Sequence, residues 1–177
     1  MDVRLDAVTL RKNEFMAFAT DITERKLAEE SIKRKETKYK NLVETASDAI
    51  YLMTENGNII DCNQAACEML QKSKNEIIGS SIASIDPSSP IDEFLKFWKK
   101  VPFNKQYIFE TSHLRKDGTL IPIEISSKKY KLNDEIFYYA VARDITERKE
   151  SEKELLESEE KFRELFHNAA DAIFIAD

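Results

Sequence analysis

The sequence predicts an α+β domain in which five antiparallel strands carry short helices on one face. Three observations indicate this class: short apolar runs rich in strand formers, hairpin-type turn residues between them, and capped helical segments in the middle of the chain. The predicted order is a long helix, two strands, a cluster of short helices and then three strands.

The strands are predicted from apolar runs that turn residues separate. Asp48–Met53 and Ile59–Cys62 flank the dipeptide Asn56-Gly57, a strong hairpin signal. Three further runs follow the helices, with turns at Lys116-Asp117-Gly118 and at Asn133-Asp134 between them. These runs are Tyr107–Leu114, Leu120–Ser127 and Ile136–Ala142.

Short helices are predicted where capping residues precede apolar segments. Asn63 stands as an N-cap ahead of Gln64–Leu70, and Ser73-Lys74-Asn75-Glu76 has the pattern of a capping box. Ser89-Pro90 opens a longer helix, Ile91–Val101. The apolar face of that helix consists of Ile91, Phe94, Leu95 and Trp98.

One string, Asp-Ile-Thr-Glu-Arg-Lys, occurs at Asp21–Lys26 and again at Asp144–Lys149, an offset of 144 − 21 = 123 residues. Tyr39–Tyr51 is similar to Phe162–Phe174 at the same offset, which indicates a duplicated module. We therefore predict the last strands of a preceding repeat at 1–23, a connector helix at 24–37 and a complete domain at 38–149. A second connector helix and the first strand of a following repeat are predicted at 150–177.

The segment Glu24–Val43 contains no glycine or proline and is dominated by charged residues, which predicts a helix. Its apolar residues form a narrow seam, and the same spacing recurs one repeat later. This seam favours two paired helices of the coiled-coil kind, with a single solvated connector as the alternative. The seam residues are Ala28, Ile32, Tyr39 and Val43, and then Leu155, Phe162 and Phe166.

Composition excludes several classes of protein. A hydrophobic content of 42% supports a core, and a formal net charge of −6 provides no basic surface for nucleic acid. No apolar run reaches the roughly 20 residues of a membrane helix. We expect a cytoplasmic segment without direct membrane contact, with anchoring elsewhere in a longer protein left open.

Cys62 and Cys67, the only cysteines, lack a second ligand pair and are predicted to be packing residues rather than a metal site.

Residues Lys38–Lys149 resemble the PAS (S-box) family of sensory domains. The resemblance lies in the ordered set of motifs, repeated at a fixed period, whereas Gln71-Lys72 departs from the Gly-Tyr that many relatives carry. The motifs are DAIYLMTENGNIIDCN at 48–63, Asn63-Gln64-Ala65-Ala66, Asn75-Glu76-Ile77-Ile78-Gly79, Arg115-Lys116-Asp117-Gly118-Thr119 and the closing Arg143–Lys149.

The resemblance implies a sheet of strand order 2-1-5-4-3 around a pocket roofed by the short helices, with a regulatory helix leaving the last strand. It also implies that the Asp-Ile-Thr motif joins sheet and helix. Asp144 can cap that helix, and the side chain of Glu147 can hydrogen-bond back to Asp144 as in a capping box. Arg143 and Arg148 can pair with the carboxylate of Asp144. A helix cap without a signalling role is the alternative. The signal-coupling candidates are Asp144, Thr146, Glu147 and Arg148, with Asp21 and Thr23 in the earlier copy.

The pocket candidates that the resemblance implies are Asn63, Phe94, Trp98, His113, Ala140 and Ala142. The two alanines leave room beneath the roof, and the alternative is that Phe94 and Trp98 fill it without a ligand. Haem-binding relatives use a histidine on the long helix, which has none here, and His113 on a strand is expected to be partly exposed. Light-sensing relatives carry a cysteine in an Asn-Cys-Arg motif that this chain lacks. Haem b and covalent flavin are therefore not expected, and the cofactor, if there is one, stays unassigned.

The resemblance finally implies a non-catalytic signal-input and relay module in a tandem-repeat sensor. No nucleophile–histidine–acid set or phosphate-binding loop is visible. We expect a two-component histidine kinase as the output, with a cyclic-dinucleotide cyclase as the alternative. We also expect neighbouring repeats and a homodimer through the connector helices Glu24–Val43 and Thr146–Phe166. The rival function is a ligand-free dimerisation spacer.

The incomplete ends, Val3–Ala19 and Asp171–Ala176, could pair between chains or be disordered.

Overall fold

The computed structural model describes residues 2–11 and 14–174, which belong to two compact units, one up to residue 44 and one from residue 45. In the first unit, β1 (Val3–Arg11) and β2 (Glu14–Asp21) pair antiparallel, with Val3 opposite Asp21. Helix α1 (Thr23–Glu44) follows, and none of its residues is buried. This hairpin and helix lie where the sequence predicts two strands and a connector.

The second unit contains a five-stranded antiparallel sheet with short helices. Its strand order is β4-β3-β7-β6-β5, which corresponds to the order 2-1-5-4-3 and confirms the predicted α+β fold. The elements are β3 (Ala49–Thr54), β4 (Ile59–Cys62), α2 (Gln64–Leu70), α3 (Lys74–Ile77), α4 (Ile91–Lys100), β5 (Gln106–Leu114), β6 (Leu120–Leu132), β7 (Glu135–Asp144) and α5 (Thr146–Phe174).

The core lies on one face of this sheet because its strands alternate between buried and more exposed residues. On β6, Ile121, Ile123 and Ile125 are buried while the residues between them are partly exposed. Buried residues of β3 and β7 join them and pack with those of the short helices. These core residues include Ala49, Tyr51, Met53, Leu70, Trp98, Tyr138, Ala140 and Ala142.

The turns have the backbone conformations that their residues predict. Gly57 in the β3–β4 turn has φ of +77°, and a Cβ at this position would lie 2.8 Å from Cδ1 of Ile91. Asn133 and Asp134, between β6 and β7, have φ of +48° and +66°, which is typical of a two-residue hairpin turn. The turn residues therefore set the register of both hairpins.

The structure differs from the sequence prediction at two helix ends. The boundary predicted at residues 37/38 falls inside α1, and the second compact unit begins only at residue 45. Helix α5 continues to Phe174, so residues 171–174 are helical where a strand was predicted, and residues 175 and 176 of that strand lie outside the described residues. A strand needs a ladder partner, whereas a helix satisfies its backbone locally. The pairing of the two chain ends between copies stays a prediction. Between residues 14 and 174, no helix is long and apolar enough to cross a membrane.

Candidate functional site

Asn63 joins the start of α2 to β3. Its Oδ1 accepts hydrogen bonds from the backbone N–H groups of Ala66, at 3.1 Å, and Ile50, at 2.9 Å, and its Nδ2 donates to the carbonyl of Asp48 at 3.0 Å. The side chain is fully buried, and the predicted N-cap is confirmed. Asn63 is not among the residues that line the cavity described next, so its position is that of a brace between helix and sheet.

Helix α4 forms an aromatic roof over the sheet. The rings of Trp98 and Tyr138 lie 4.8 Å apart between centroids, and Phe94 meets Tyr138 edge-on at 5.4 Å. Trp98 is buried, and its backbone carbonyl, near the C-terminus of the helix, accepts a 2.9 Å hydrogen bond from Nζ of Lys129. The roof is thus held both by ring packing and by a buried lysine.

The cavity beneath this roof has a volume of about 30 Å³. Such a space accommodates one or two water molecules and is far below the roughly 300–1,000 Å³ of small-molecule sites. Phe94 and Trp98 therefore fill most of the room beside Ala140 in this cavity. Ala140 lines the cavity, whereas Ala142 is buried outside it. Polar groups at its wall are contributed by Tyr51, Asp86, Ser89, His113 and Ser127.

His113 on β5 is fully buried, contrary to the partial exposure expected for a strand histidine. It lies on the inward side of an edge strand, opposite Ile121 of β6, and its ring meets Tyr51 edge-on at 5.7 Å. Within the described chain, neither ring nitrogen of His113 nor Oη of Tyr51 has a hydrogen-bond partner. Burial lowers the pKa of His113 to about 3 and raises the pKa of Tyr51, so both side chains are neutral at physiological pH.

Asp86 is a wall residue that the sequence prediction missed. It is buried, and its carboxylate accepts hydrogen bonds from the hydroxyl of Thr111, at 3.0 and 3.1 Å, and from the backbone N–H of Ser88 at 3.0 Å. The only sequence signal was the Asp86-Pro87 dipeptide, which is typical of a turn. The Asp86 carboxylate thus links the segment that precedes α4 to strand β5.

The two cysteines lie close to each other where β4 meets α2. Cys62 is buried and Cys67 partly buried, and both are free thiols. Burial, followed by the neighbouring Cys67, raises the pKa of Cys62 to about 12, so its thiol stays protonated. No group of three or more His, Cys, Asp or Glu side chains in the described parts of the chain could hold a metal ion.

The Asp-Ile-Thr motif has the same local geometry in both of its copies. Oδ1 of Asp144 accepts hydrogen bonds from the N–H of Thr146, at 2.8 Å, and from its hydroxyl at 2.5 Å. Asp21 accepts the corresponding two bonds from Thr23, at 2.9 and 2.6 Å, and these bonds lower the pKa of Asp21. The acidic side chain therefore caps the first turn of each connector helix, as expected.

The other predicted contacts of this motif are wrong. Helix α5 begins at Thr146, so Glu147 is only its second residue, and within residues 14–174 it makes no capping-box bond back to Asp144. Arg143 pairs instead with Asp48, at 2.8 and 3.1 Å, because β7 lies beside β3 in the sheet. Arg148 also pairs elsewhere, with Glu110 and Glu124 on the sheet. The cation near the Asp144 carboxylate is Arg115, at 3.5 Å.

A five-stranded antiparallel sheet in the order β4-β3-β7-β6-β5, an aromatic roof and a capped helix leaving the last strand together define the architecture of the PAS fold. The model of the PAS domain family matches residues 47–147, more than half of the chain. The chain belongs to the PAS domain family.

Among curated proteins, the chain is similar to sporulation kinase E of Bacillus subtilis, with 29% identity over 98% of this chain and 25% of that protein. It is also similar to the methyl sulfide methyltransferase-associated sensor of Methanosarcina acetivorans, with 29% identity over 71% of this chain and 13% of that protein. The chain thus spans a quarter or less of the length of these relatives.

Solved structures show the same fold. The PAS domain of an HTR-like protein from Haloarcula marismortui has a TM-score of 0.65 and 24% identity, over 68% of this chain and 99% of that chain. A PAS domain from a two-component sensor histidine kinase has a TM-score of 0.56 and 18% identity, over 63% of this chain and 97% of that chain.

Proposed function

We propose that this chain is a signal-relay module that passes a conformational change from its sheet, through the Asp144 joint and α5, to a histidine kinase output domain. The observation that carries the proposal is the joint, because a capped helix leaves the last strand of the sheet directly. The similarity to sporulation kinase E favours a kinase over a cyclase as the output. On this proposal the module works in the cytoplasm, where a kinase domain finds ATP.

The proposed relay uses paired connector helices in a homodimer. Ile32 and Tyr39 on α1 are more than half exposed, and so are Leu155 and Phe162 at the equivalent positions of α5. A seam of large apolar residues on a charged helix is stabilised when a second helix covers it. We infer that a second copy of the chain, aligned in parallel, supplies that helix.

The dimer is tested by placing a charge on the seam. Phe162→Glu is expected to shift the chain to monomer in analytical ultracentrifugation, because a carboxylate in a helix–helix seam is desolvated without a partner. Arg163→Glu changes the neighbouring residue, which is exposed, and is the matched control. If both variants self-associate to the same extent as the parent chain, the result argues against helix pairing.

The relay is tested with Asp144→Ala in the full-length protein. We expect the variant to fold and to lose stimulus-dependent control of autophosphorylation, since the sheet-to-helix cap is gone while the core is intact. The control is Asp134→Asn, which changes an exposed carboxylate in the β6–β7 turn. Unchanged regulation in Asp144→Ala would contradict the relay.

A second function, the ligand-free spacer, is favoured by the small cavity and the ring packing that fills it. The two functions differ in what a stimulus does to the helices. Distances between spin labels at Glu159 of two copies should change with stimulus in a relay and stay constant in a spacer.

A further inference from the structure

Two glutamates face each other across neighbouring strands on the sheet face opposite the cavity. Glu110 of β5 is directly paired with Glu124 of β6. Their chain neighbours Phe109, which lines the cavity, and Ile123, which is buried, point to the other face. Like charges directly opposite each other destabilise a strand pair. This position therefore favours a cation between the two carboxylates.

The first turn of α5 supplies that cation. Arg148 reaches Glu110 at 2.6 Å through Nη2 and Glu124 at 3.3 Å through Nη1, so its guanidinium bridges the two strands. Nζ of Lys149 lies 2.7 Å from the second oxygen of Glu110. The hydrogen bond from Lys149, with the charges of Lys149 and Arg148, lowers the pKa of Glu110. We call these four residues the clasp.

The motif by itself does not create this arrangement. In the earlier copy, the equivalent Arg25 pairs at 2.7 Å with Glu29 of its own helix, and Lys26 pairs at 3.0 Å with Asp2. The difference lies in the partners, because Glu110 and Glu124 belong to strands of the complete domain. The clasp therefore needs Glu110 and Glu124 of the sheet in addition to the motif.

We propose that Glu110 and Glu124 are positioning residues that hold the first turn of α5 against β5 and β6 and thereby set the direction in which the helix leaves the sheet. The inference rests on the proposed relay, in which the orientation of α5 carries the signal. Single exposed ion pairs stabilise little, but here three contacts share two carboxylates that otherwise repel each other. Loss of both carboxylates removes the attraction and the repulsion together, so the sheet stays folded while α5 is released.

The test is the double variant Glu110→Gln/Glu124→Gln in the whole chain, measured by hydrogen exchange. Amides in the first two turns of α5 are expected to exchange about fivefold faster, because local opening of the helix start becomes easier. Amides of β6 and β7 should exchange as in the parent chain, which shows that the sheet is intact. In the parent chain 1 M NaCl should accelerate the same α5 amides, and in the double variant it should not.

Two further variants complete the experiment. Asp134→Asn breaks the exposed 2.8 Å pair with Lys131 and should leave α5 exchange unchanged. Glu110→Arg and Glu124→Arg combined with Arg148→Glu and Lys149→Glu reverses all four charges and should restore slow exchange. Unaltered α5 exchange in the double variant, or no rescue by charge reversal, would overturn the inference.

The outcome is separate from that of the relay itself. Faster α5 exchange in the double variant supports the positioning role even where regulated autophosphorylation of the full-length protein is unchanged, because the relay through the Asp144 joint is tested separately by Asp144→Ala. Unchanged exchange overturns the clasp and leaves the Asp144 joint standing.

Discussion

Lowering the pH from 7.5 to 5.5 should destabilise this domain through His113. The imidazole is fully buried, and its nitrogens have no hydrogen-bond partner within the described residues. Burial lowers its pKa to about 3 in the folded state, against the ordinary value of 6.5 for a histidine in the unfolded chain. Between these two values the unfolded chain binds a proton that the folded domain does not.

The sign follows from this difference in proton binding. Because the folded pKa is lowered, the contribution of neutral His113 is fully present above pH 6.5 and is lost progressively as the pH falls toward 3. At pH 5.5 the unfolded state is favoured by about 1.4 kcal/mol through this one group, from the protonation term RT ln(1 + 10). Comparison of the parent chain with a variant that lacks His113 isolates the contribution of this group.

The assay is urea denaturation of the parent chain and of His113→Leu at both pH values. We expect the parent to lose about 1.4 kcal/mol more than the variant between pH 7.5 and 5.5. Leucine also removes two unsatisfied buried nitrogens, so the variant should be at least as stable as the parent at pH 7.5. His167→Leu, at an exposed position on α5, is the matched control. If His113→Leu and the parent chain show parallel pH dependence, His113 is not buried as described.

Three substitutions, one of them with a matched control, test the packing of the domain. Gly57→Ala should cost about 1–3 kcal/mol in thermal denaturation, because φ is +77° and the new Cβ would lie 2.8 Å from Cδ1 of Ile91. Gly118→Ala, at φ of +88° with nothing within 4 Å, should cost less, and equal losses would contradict the crowding. Trp98→Ala should cost about 3–5 kcal/mol in urea denaturation through the cavity it leaves, and a loss below 1 kcal/mol would show that the roof collapses onto the sheet. Asn63→Ala should cost about 2–4 kcal/mol, because a helix cap and two bonds to the neighbouring strand are lost together; a loss typical of a surface site would contradict its role as a brace.

Local chemistry explains why the fold could be predicted from the sequence. Asn63 caps α2, and Asn133-Asp134 turns the chain between β6 and β7. Each of these features depends on a few adjacent residues, and their order along the chain leaves few ways to arrange five antiparallel strands. The strand predicted at 171–174 did not form because a strand depends on a distant partner and a helix does not.

The parts of the site that could not be predicted depend on contacts between distant residues. Arg148 was expected near Asp144, four residues away, but its partners Glu124 and Glu110 are 24 and 38 residues away in the sequence. The burial of His113 likewise depends on the roof that covers the inward face of β5, which no residue beside it reveals. Spacing within a motif identifies the helix cap and carries no information about the surface on which the helix start rests.

Strand β5 connects the two halves of the proposed mechanism. Successive side chains of a strand point to opposite faces, so Phe109 lies at the cavity wall while Glu110 contacts the first turn of α5. A change in the packing of the roof that tilts or twists β5 must therefore displace Glu110 as well. Helix α5 is attached to the sheet at two points, through the chain at Asp144 and through the clasp at Arg148. Relative movement of β5 and β7 would rotate α5 about these two attachments. A helix that is paired with its copy in a second chain can transmit such a rotation to the output domain.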